Sequence, residues 1–238
     1  MAILFISDLH LSPERPEVTR AFLSFLQQQA DSTEALFVLG DLFEAWIGDD
    51  DTCATGIKVQ EAFKQLTDKG VGLFIQHGNR DFFIGKRFCK ATGATLLADE
   101  HLVEYMGKTV LVMHGDTLCT DDVDYIRFRR RIRHPVSKAL LQLLPLTYRQ
   151  KLANAMRAKS IAANANKPSA IMDVNANAVE AVMAKHCVST LIHGHTHRPD
   201  RHQHENGERI VLGDWHDKGW YITWDSAGIN LNNFNIEV

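Results

Sequence analysis

Five short polar clusters in this sequence carry side chains that commonly bind transition metals. Their donors are carboxylate, amide and imidazole groups without a thiolate, which suits Mn²⁺, Fe²⁺ or Zn²⁺ better than a closed structural cysteine site. Seven candidate ligands are too many for one catalytic ion with an open position, but enough for two ions that share a carboxylate. Two such ions about 3.5–4 Å apart can clamp the attacking and leaving oxygens of a phosphoryl transfer and generate hydroxide at neutral pH. The clusters are Asp8-Leu9-His10, Gly40-Asp41, Gly78-Asn79-Arg80-Asp81, His114 and Gly194-His195-Thr196-His197.

Each cluster taken alone also has a structural explanation. Gly40-Asp41 followed by Glu44 can be a turn with a helix N-cap, and Gly78–Asp81 can be a simple turn. His114 can be a hydrogen-bonded histidine, and His193, just before the last cluster, is best explained as a packed or hydrogen-bonded strand residue. The occurrence of all five clusters, each where a strand ends, favours the metal site.

The clusters follow apolar runs that are typical of buried strands. Ala2–Ser7, Ala35–Leu39 and Val71–Gln76 are such runs, and apolar residues at helical spacing separate them. This strand–helix–strand order predicts parallel βαβ units with right-handed crossovers. Because sites in such sheets form beyond the carboxyl ends of the strands, the first three clusters are expected to meet at one edge.

A second group of strands is predicted after residue 100. His101–Tyr105 and Lys108–Met113 form a hairpin that ends at His114, and the residues between His197 and Arg209 form a loop. The remaining predicted elements are one helix and three strands, at Asn175–His186, Arg209–Leu212, Trp220–Trp224 and Ile229–Phe234.

Residues 121–172 break this pattern and are predicted to be a helical insertion, a lid over the strand ends, within a single domain of residues 1–238. From Tyr125 to Met172 there are 11 Lys and Arg and no Asp or Glu, whereas the rest of the chain has a charge balance of −14. A basic segment on an acidic body indicates an anionic partner. The segment is also rich in leucine, so it can accept acyl chains and meet anionic headgroups. The alternatives are a solvated charged face for the arginines and a small core under the lid for the leucines.

The bulk properties are those of a globular domain. No apolar run approaches the length of a membrane span, and the N-terminal run is expected to be a buried strand rather than a signal peptide. The four cysteines are scattered, which favours reduced thiols in a cytosolic protein.

Taken together, the five clusters resemble the calcineurin-like metallophosphoesterase superfamily, whose pattern is D-x-H, G-D, G-N-[HR]-D, a single histidine and G-H-x-H. The resemblance implies an α/β fold, a two-sheet αββα sandwich with flanking helices. It also implies that Asp41 bridges two ions. The ligands implied for one ion are Asp8, His10, Asp41 and His197, and those for the other are Asp41, Asn79, His114 and His195.

Arg80 stands where many phosphatases of this superfamily have a histidine. Arginine does not act as a useful proton donor, but its guanidinium can pair bidentately with phosphate oxygens. We therefore interpret Arg80 as a group that stabilises charge in the transition state, which argues against a generic protein phosphatase.

Four longer stretches resemble a narrower group, the UDP-2,3-diacylglucosamine pyrophosphatases of lipid A biosynthesis in Gram-negative bacteria. They are Gly40–Asp51, Gly78–Arg87, Met113–Asp122 and Ile192–Pro199. The resemblance implies attack of water on the α-phosphorus at two Mn²⁺ ions per chain, other divalent ions being possible, to give UMP and 2,3-diacylglucosamine 1-phosphate (lipid X). It implies catalytic roles for Asp41, Asn79, Arg80, His114 and His195. The substrate contacts that it implies are Asn79, Arg80, Asp122, Ser160, Asn164, Lys167 and His195.

The partners implied are an acylated UDP-sugar and, for a peripheral protein, the cytoplasmic face of the inner membrane. We expect no nucleic-acid partner and no obligate protein partner. One alternative is a metallophosphoesterase for another nucleotide diphosphate or a phosphodiester, but a soluble substrate gives no reason for the Leu- and Arg-rich insertion. The other is a binding module that holds nucleic acid with the five arginines of residues 127–133, against which the acidic body and the complete ligand set argue.

Overall fold

A computed structural model of the chain describes residues 1–164 and 173–237, and within these ranges it has eleven strands and seven α-helices. The strands are β1 (Ala2–Ile6), β2 (Thr33–Leu39), β3 (Gly72–Gln76), β4 (Thr95–Leu96), β5 (His101–Tyr105), β6 (Lys108–Val112), β7 (Thr190–His193), β8 (Asp200–His204), β9 (Gly207–Val211), β10 (Lys218–Asp225) and β11 (Gly228–Asn235). The helices are α1 (Pro16–Gln29), α2 (Ala54–Asp68), α3 (Lys86–Thr92), α4 (Val123–Ile132), α5 (Pro135–Gln142), α6 (Leu146–Asn164) and α7 (Ala176–His186).

The first sheet has six strands in the order β11-β10-β1-β2-β3-β4. Strands β1, β2 and β3 pair in parallel, which confirms the prediction of βαβ units. Strand β10 pairs antiparallel with β1 on its other side, and β11 returns beside β10. The carboxyl ends of β1, β2 and β3 therefore lie next to one another, as the first three polar clusters require.

The second sheet has five strands in the order β5-β6-β7-β9-β8. Its centre is parallel, because β6 pairs with β7 and β7 with β9 in that sense. Strand β8 lies between His197 and Arg209, where a loop was predicted. The prediction of a loop at these residues was wrong. Its sequence Asp-Arg-His-Gln-His shows no apolar alternation because β8 is an edge strand with no fully buried residue, and it forms by antiparallel pairing with β9.

The two sheets pack face to face with helices on both outer faces, which confirms the predicted αββα sandwich. Successive side chains of β1 alternate between two hydrophobic cores on the two faces of the first sheet. Ile3 and Phe5 point into the core between the sheets, whereas Leu4 and Ile6 point into the core under α1, α2 and α3. Helix α7 covers the second sheet with Val179 and Met183. Burial on both faces explains why these strands read as unbroken apolar runs.

The range predicted as an insertion contains α4, α5 and α6. None of the helices in the described residues is long and apolar enough to cross a bilayer. Three arginines of the insertion form hydrogen bonds inside the protein, each at 2.6 Å. Arg129 donates to Asp116, Arg133 donates to the Gly78 carbonyl, and Arg149 donates to the Ile47 carbonyl. Large apolar side chains, in contrast, remain exposed on these helices and in the turn between α5 and α6, namely Val123, Phe128, Val136, Leu140, Leu143, Leu144, Tyr148 and Leu152.

Candidate metal centre

The predicted ligands lie at the carboxyl ends of five strands of the two sheets. Ring and carboxylate donors of Asp8, His10 and His197 lie within 4.8 Å of one another, and so do those of Asp8, Asp41 and His114. Backbone hydrogen bonds join the turns after β1 and β2, since His10 N donates to the Asp41 carbonyl at 3.0 Å. Both sheets therefore contribute to one cluster of donors.

Left-handed backbone is concentrated at these positions. Seven non-glycine residues in the described part of the chain have positive φ, and five of them are predicted ligands. Their φ angles lie between 49° and 68°. Such a conformation costs an L-residue about 1–2 kcal/mol, and strain of this kind typically marks functional sites. The five residues are Asp8, His10, Asp41, His195 and His197.

Two glycines of the sequence motifs permit close approach of the turns. A Cβ atom on Gly78 would lie 2.1 Å from Asp41 Oδ1, and one on Gly194 would lie 2.1 Å from Asp8 Oδ2. Both distances are far below van der Waals contact with groups that cannot move away. Glycine is therefore required at each position for the carboxylates to reach the cluster.

Asp8, His10 and His197 have the arrangement expected of ligands to one cation. His10 Nε2 and His197 Nε2 are 3.2 Å apart, and His197 Nε2 is 3.3 Å from Asp8 Oδ1. Donors about 2.0–2.1 Å from one ion lie about 3–3.4 Å from each other. Asp8 Oδ1 and His10 Nδ1 are buried without a hydrogen-bond partner in residues 1–164 and 173–237. Orphaned buried oxygen and nitrogen atoms of this kind fit a bound divalent ion.

A second set of donors surrounds His114. Its Nδ1 lies 2.8 Å from the carbonyl of Leu39, to which it donates, so the Nε2 of a neutral ring carries a lone pair. That Nε2 is 3.0 Å from Asn79 Oδ1 and 3.8 Å from Asp41 Oδ1, and the His195 ring centroid is 5.0 Å from that of His114. Two acceptors that face each other at 3.0 Å again fit a shared cation. Asp8 is common to both compact groups, whereas the resemblance implies that Asp41 bridges.

The electrostatics of the cluster act in different directions on its histidines: burial lowers the pKa values of His10 and His195, whereas the neighbouring carboxylates, against the effect of burial, raise those of His114 and His197. Burial lowers the pKa of His195 to about 4 and holds the pKa of His10 well below its usual value, so both imidazoles are neutral at pH 7. Burial raises the pKa of Asp41. Burial also opposes ionisation of Asp8, but the neighbouring imidazole of His197, 3.3 Å from Asp8 Oδ1, brings the pKa of Asp8 below its ordinary value. Neutral imidazoles and carboxylates are the forms that bind divalent ions.

Arg80 lies at the open side of the cluster and is held by two carboxylates. Its backbone N–H donates to Asp41 Oδ1 at 2.9 Å, and its Nη1 donates to Glu44 Oε2 at 2.5 Å. Arg157 of α6 also pairs with Glu44. Two guanidinium groups therefore meet at one carboxylate beside the donors, which creates a cationic edge that suits phosphate.

Comparison with known proteins agrees with this geometry. A family model described as Calcineurin-like phosphoesterase matches residues 1–199. The chain belongs to the calcineurin-like phosphoesterase family. The resemblance drawn from the five clusters is thereby confirmed, and membership of the family implies divalent metal ions.

Relatives of this phosphoesterase match it over nearly its full length. A protein of Enterobacter sp. (strain 638) named UDP-2,3-diacylglucosamine hydrolase is 53% identical, over 98% of this chain and 99% of that protein. A protein of the same name from Pseudomonas putida (strain W619) is 51% identical, with 98% of each chain covered. Among solved structures, a novel archaeal phosphodiesterase has a TM-score of 0.51 at 13% identity, over 99% of each chain, and shows the shared fold.

Two carboxylates of this phosphoesterase have positions that the motifs did not reveal. Asp81 accepts hydrogen bonds from the N–H groups of Leu42 and Gly78, each at 2.8 Å, and so ties the second cluster to the third. Burial, with the nearby charge of Asp41, raises the pKa of Asp81 to about 6. Asp81 and Glu44 were visible within the G-N-[HR]-D and G-D-x-x-E patterns, but Leu42 lies 39 residues from Asp81 and Arg80 lies 36 residues from Glu44, so a short pattern does not identify these partners.

Asp116 plays a comparable part on the other side of the cluster. It accepts from Tyr125 Oη at 2.5 Å and from Arg129 Nε at 2.6 Å. The ring of Tyr125 stacks on that of His195, with centroids 6.2 Å apart. Helix α4 is therefore joined to the candidate ligands through Asp116, two residues after His114, and through the ring of Tyr125. The His-Gly-Asp sequence after β6 was the only signal for this residue.

The predicted substrate contacts in the insertion are placed only in part. Asp122 lies at the N-cap of α4, where its carboxylate accepts from Tyr125 N at 3.2 Å, and Ser160 is exposed on α6. The side chain of Asn164 and the whole of Lys167 lie outside the described residues. Their roles remain predictions.

Proposed function

We propose that this chain hydrolyses the diphosphate bond of UDP-2,3-diacylglucosamine by attack of water on the α-phosphorus, giving UMP and 2,3-diacylglucosamine 1-phosphate for lipid A biosynthesis. The full-length match to relatives named for that substrate carries the proposal. The convergence of carboxylate, amide and imidazole donors at one edge of the sheets supports a metal-dependent reaction.

We propose that two Mn²⁺ ions are held at this edge. One set of ligands would be Asp8, His10, Asp41 and His197, and the other Asp41, Asn79, His114 and His195. Ions in these positions would supply Lewis-acid stabilisation of the phosphate charge and lower the pKa of the attacking water.

The chain's own residues orient the diphosphate and balance its charge. The Arg80 guanidinium is held between Asp41 and Glu44, so it already lies beside the metal donors before substrate binds and can neutralise charge that develops on phosphate oxygens. Arg157 brings a second cation from α6 to the same carboxylate. A phosphate that competes with Glu44 for both guanidiniums would be held in a fixed orientation.

The exposed apolar side chains of α4, α5 and α6 support a role for these helices as an acyl-accepting lid. Leu140 of α5 and Leu143, which directly follows this helix, are 61% and 82% exposed, which is unusual for leucines that only fill a core. With the remaining basic residues of the segment, such a surface can also rest on an anionic membrane. We propose peripheral association with the cytoplasmic face of the inner membrane on this basis.

The direct test is hydrolysis of UDP-2,3-diacylglucosamine by the purified chain loaded with Mn²⁺. We expect release of UMP and acylated sugar 1-phosphate, and much slower release from a UDP-sugar without acyl chains, since each buried CH₂ contributes about 0.8 kcal/mol. A phosphodiester and a cyclic nucleotide serve as comparison substrates for the alternative that the chain acts on another phosphoester. Absence of UMP release contradicts the proposed substrate, and equal turnover of the unacylated sugar contradicts the role of the lid.

Lys167→Ala is expected to raise KM with little change in kcat, because the ammonium is proposed to bind ground-state phosphate rather than the reacting atoms. Loss of one charge-assisted hydrogen bond of about 1.5–3 kcal/mol corresponds to about 10–100-fold in KM. Steady-state kinetics measure both constants. Lys151→Ala removes an exposed lysine from α6 and is the matched control. An unchanged KM in Lys167→Ala would remove the residue from the substrate site.

A further inference from the structure

His193 and Arg209 form a buried hydrogen-bonded pair next to the turns that carry the candidate ligands His114 and His195. They lie on the adjacent strands β7 and β9, and neither is a predicted ligand. Arg209 Nη1 lies 3.2 Å from His193 Nε2, and His193 Nδ1 lies 2.8 Å from the carbonyl of Gly194. His193 is completely buried and Arg209 nearly so.

The partners of His193 determine its tautomer. The Gly194 carbonyl only accepts, so Nδ1 must carry the proton, and the Arg209 guanidinium only donates, so Nε2 must carry the lone pair. Both ring nitrogens are thus satisfied inside the protein. His193 cannot ligate an ion in this state, and its ring is fixed in orientation from both sides.

The His193 ring touches both turns that supply histidine to the second proposed ion. A Cβ on Gly115, next to His114, would lie 2.7 Å from His193 Nδ1, so the ring packs directly on that turn. On the other turn, His193 Nδ1 donates to the Gly194 carbonyl. The Gly194 N–H donates to the His114 carbonyl at 2.9 Å, so a backbone hydrogen bond joins the two turns. The next residue, His195, donates its backbone N–H to Asp8 Oδ2 at 2.8 Å.

Arg209 is itself held by a polar chain that leads away from the cluster. Its Nε donates to His204 Nε2 at 3.5 Å, and His204 Nδ1 lies 2.9 Å from Glu180 Oε1 on helix α7. The guanidinium is therefore fixed at two points. A hydrogen-bonded path joins α7, the edge hairpin of β8 and β9, and the ligand turns.

We propose that His193 and Arg209 are positioning residues that hold the His114 and His195 turns in register, so that these two histidines bind one ion together. The proposal rests on the metal ligands proposed above. Partners of this kind orient metal ligands in many sites, and their loss typically weakens metal binding about 10–100-fold. A simple packing role would make the pair important for stability alone.

The test is Mn²⁺ titration of the metal-free full-length chain by calorimetry and by electron paramagnetic resonance. In Arg209→Met we expect one of two Mn²⁺ sites to weaken about 10–100-fold while the other keeps its affinity. Arg209→Lys, which retains a donor for His193 Nε2, should recover part of the loss. Arg201→Met is the matched control, since Arg201 lies on neighbouring β8 and contacts Glu208 and the Ile229 carbonyl instead.

Unchanged Mn²⁺ affinities in Arg209→Met, together with a lower unfolding midpoint, would show packing only and overturn the proposal. If the wild-type chain binds no Mn²⁺, the proposed metal centre fails instead, so the two failures are distinguishable. A measurement on the wild-type chain covers the case in which the variant does not fold. Its ¹H–¹⁵N spectrum should show His193 protonated at Nδ1, and a proton on Nε2 would overturn the proposal.

Discussion

Replacing Asp41 with alanine is expected to abolish turnover, because the resemblance assigns this carboxylate to both ions. Losing several kcal/mol of charge stabilisation corresponds to a decrease of roughly 10³-fold or more in kcat. Mn²⁺ titration of the same variant should show that both sites are weakened. Asp31→Ala, an exposed aspartate paired with Lys69, should leave turnover and titration unchanged.

A stability measurement separates this effect from misfolding. Burial raises the pKa of Asp41, so ionisation of this carboxyl costs folding free energy in the metal-free chain. Asp41→Asn keeps the acceptor for Arg80 N and removes the charge, so metal-free Asp41→Asn should unfold at the same temperature as wild type or a few degrees higher. About 1 kcal/mol corresponds to about 2–4 °C in a chain of this size. Full activity in either Asp41 variant would refute the bridging role.

Arg80→Ala is expected to have the second largest effect, a loss of about 10²–10³-fold in kcat, the usual effect of removing a preorganised donor from a developing charge. Arg80→Lys should recover only part of the loss, since an ammonium lacks the planar fork that binds two phosphate oxygens. Both constants are measured with the acylated substrate at saturating Mn²⁺.

The matched control for Arg80 is Arg87→Ala, which removes an exposed arginine from α3 in the same sequence stretch. Its kcat should equal that of wild type. A rise in KM with unchanged kcat in Arg80→Ala would mean that Arg80 binds substrate and transition state equally. The role as a transition-state stabiliser would then be wrong.

The parts of the fold that could be predicted are those with a strong periodic signal. Strands β1, β2 and β3 are buried on both faces, so their apolar runs predict strands, and the helices between them predict that the three strands are parallel. Strand β8 was missed because an edge strand depends on its partner β9 rather than on its own side chains. Helix α3 and the two-residue strand β4 were not predicted either, since neither is long enough to show a period.

The motifs predicted which residues are candidate ligands, but they did not predict the hydrogen bonds that hold these residues in position. Asp81 and Asp116 are visible in the sequence only as members of polar clusters at strand ends, and only the folded chain shows their distant partners. The basic segment was interpreted as a surface for anions, yet Arg129, Arg133 and Arg149 donate to core carboxylates and carbonyls. Sequence gives the charge of an arginine, whereas tertiary contacts determine whether that charge faces solvent.

The left-handed turns under the ligands also determine when those side chains lose their conformational freedom. Backbone hydrogen bonds and close glycine contacts fix Asp8, Asp41 and His195 without help from an ion, so that entropy is lost during folding and not during metal uptake. Zinc fingers behave in the opposite way, because they fold only around their ion. We therefore expect a chelator to remove bound metal from this chain without unfolding its sheets. The metal-free protein should bind metal again when the ion is added back.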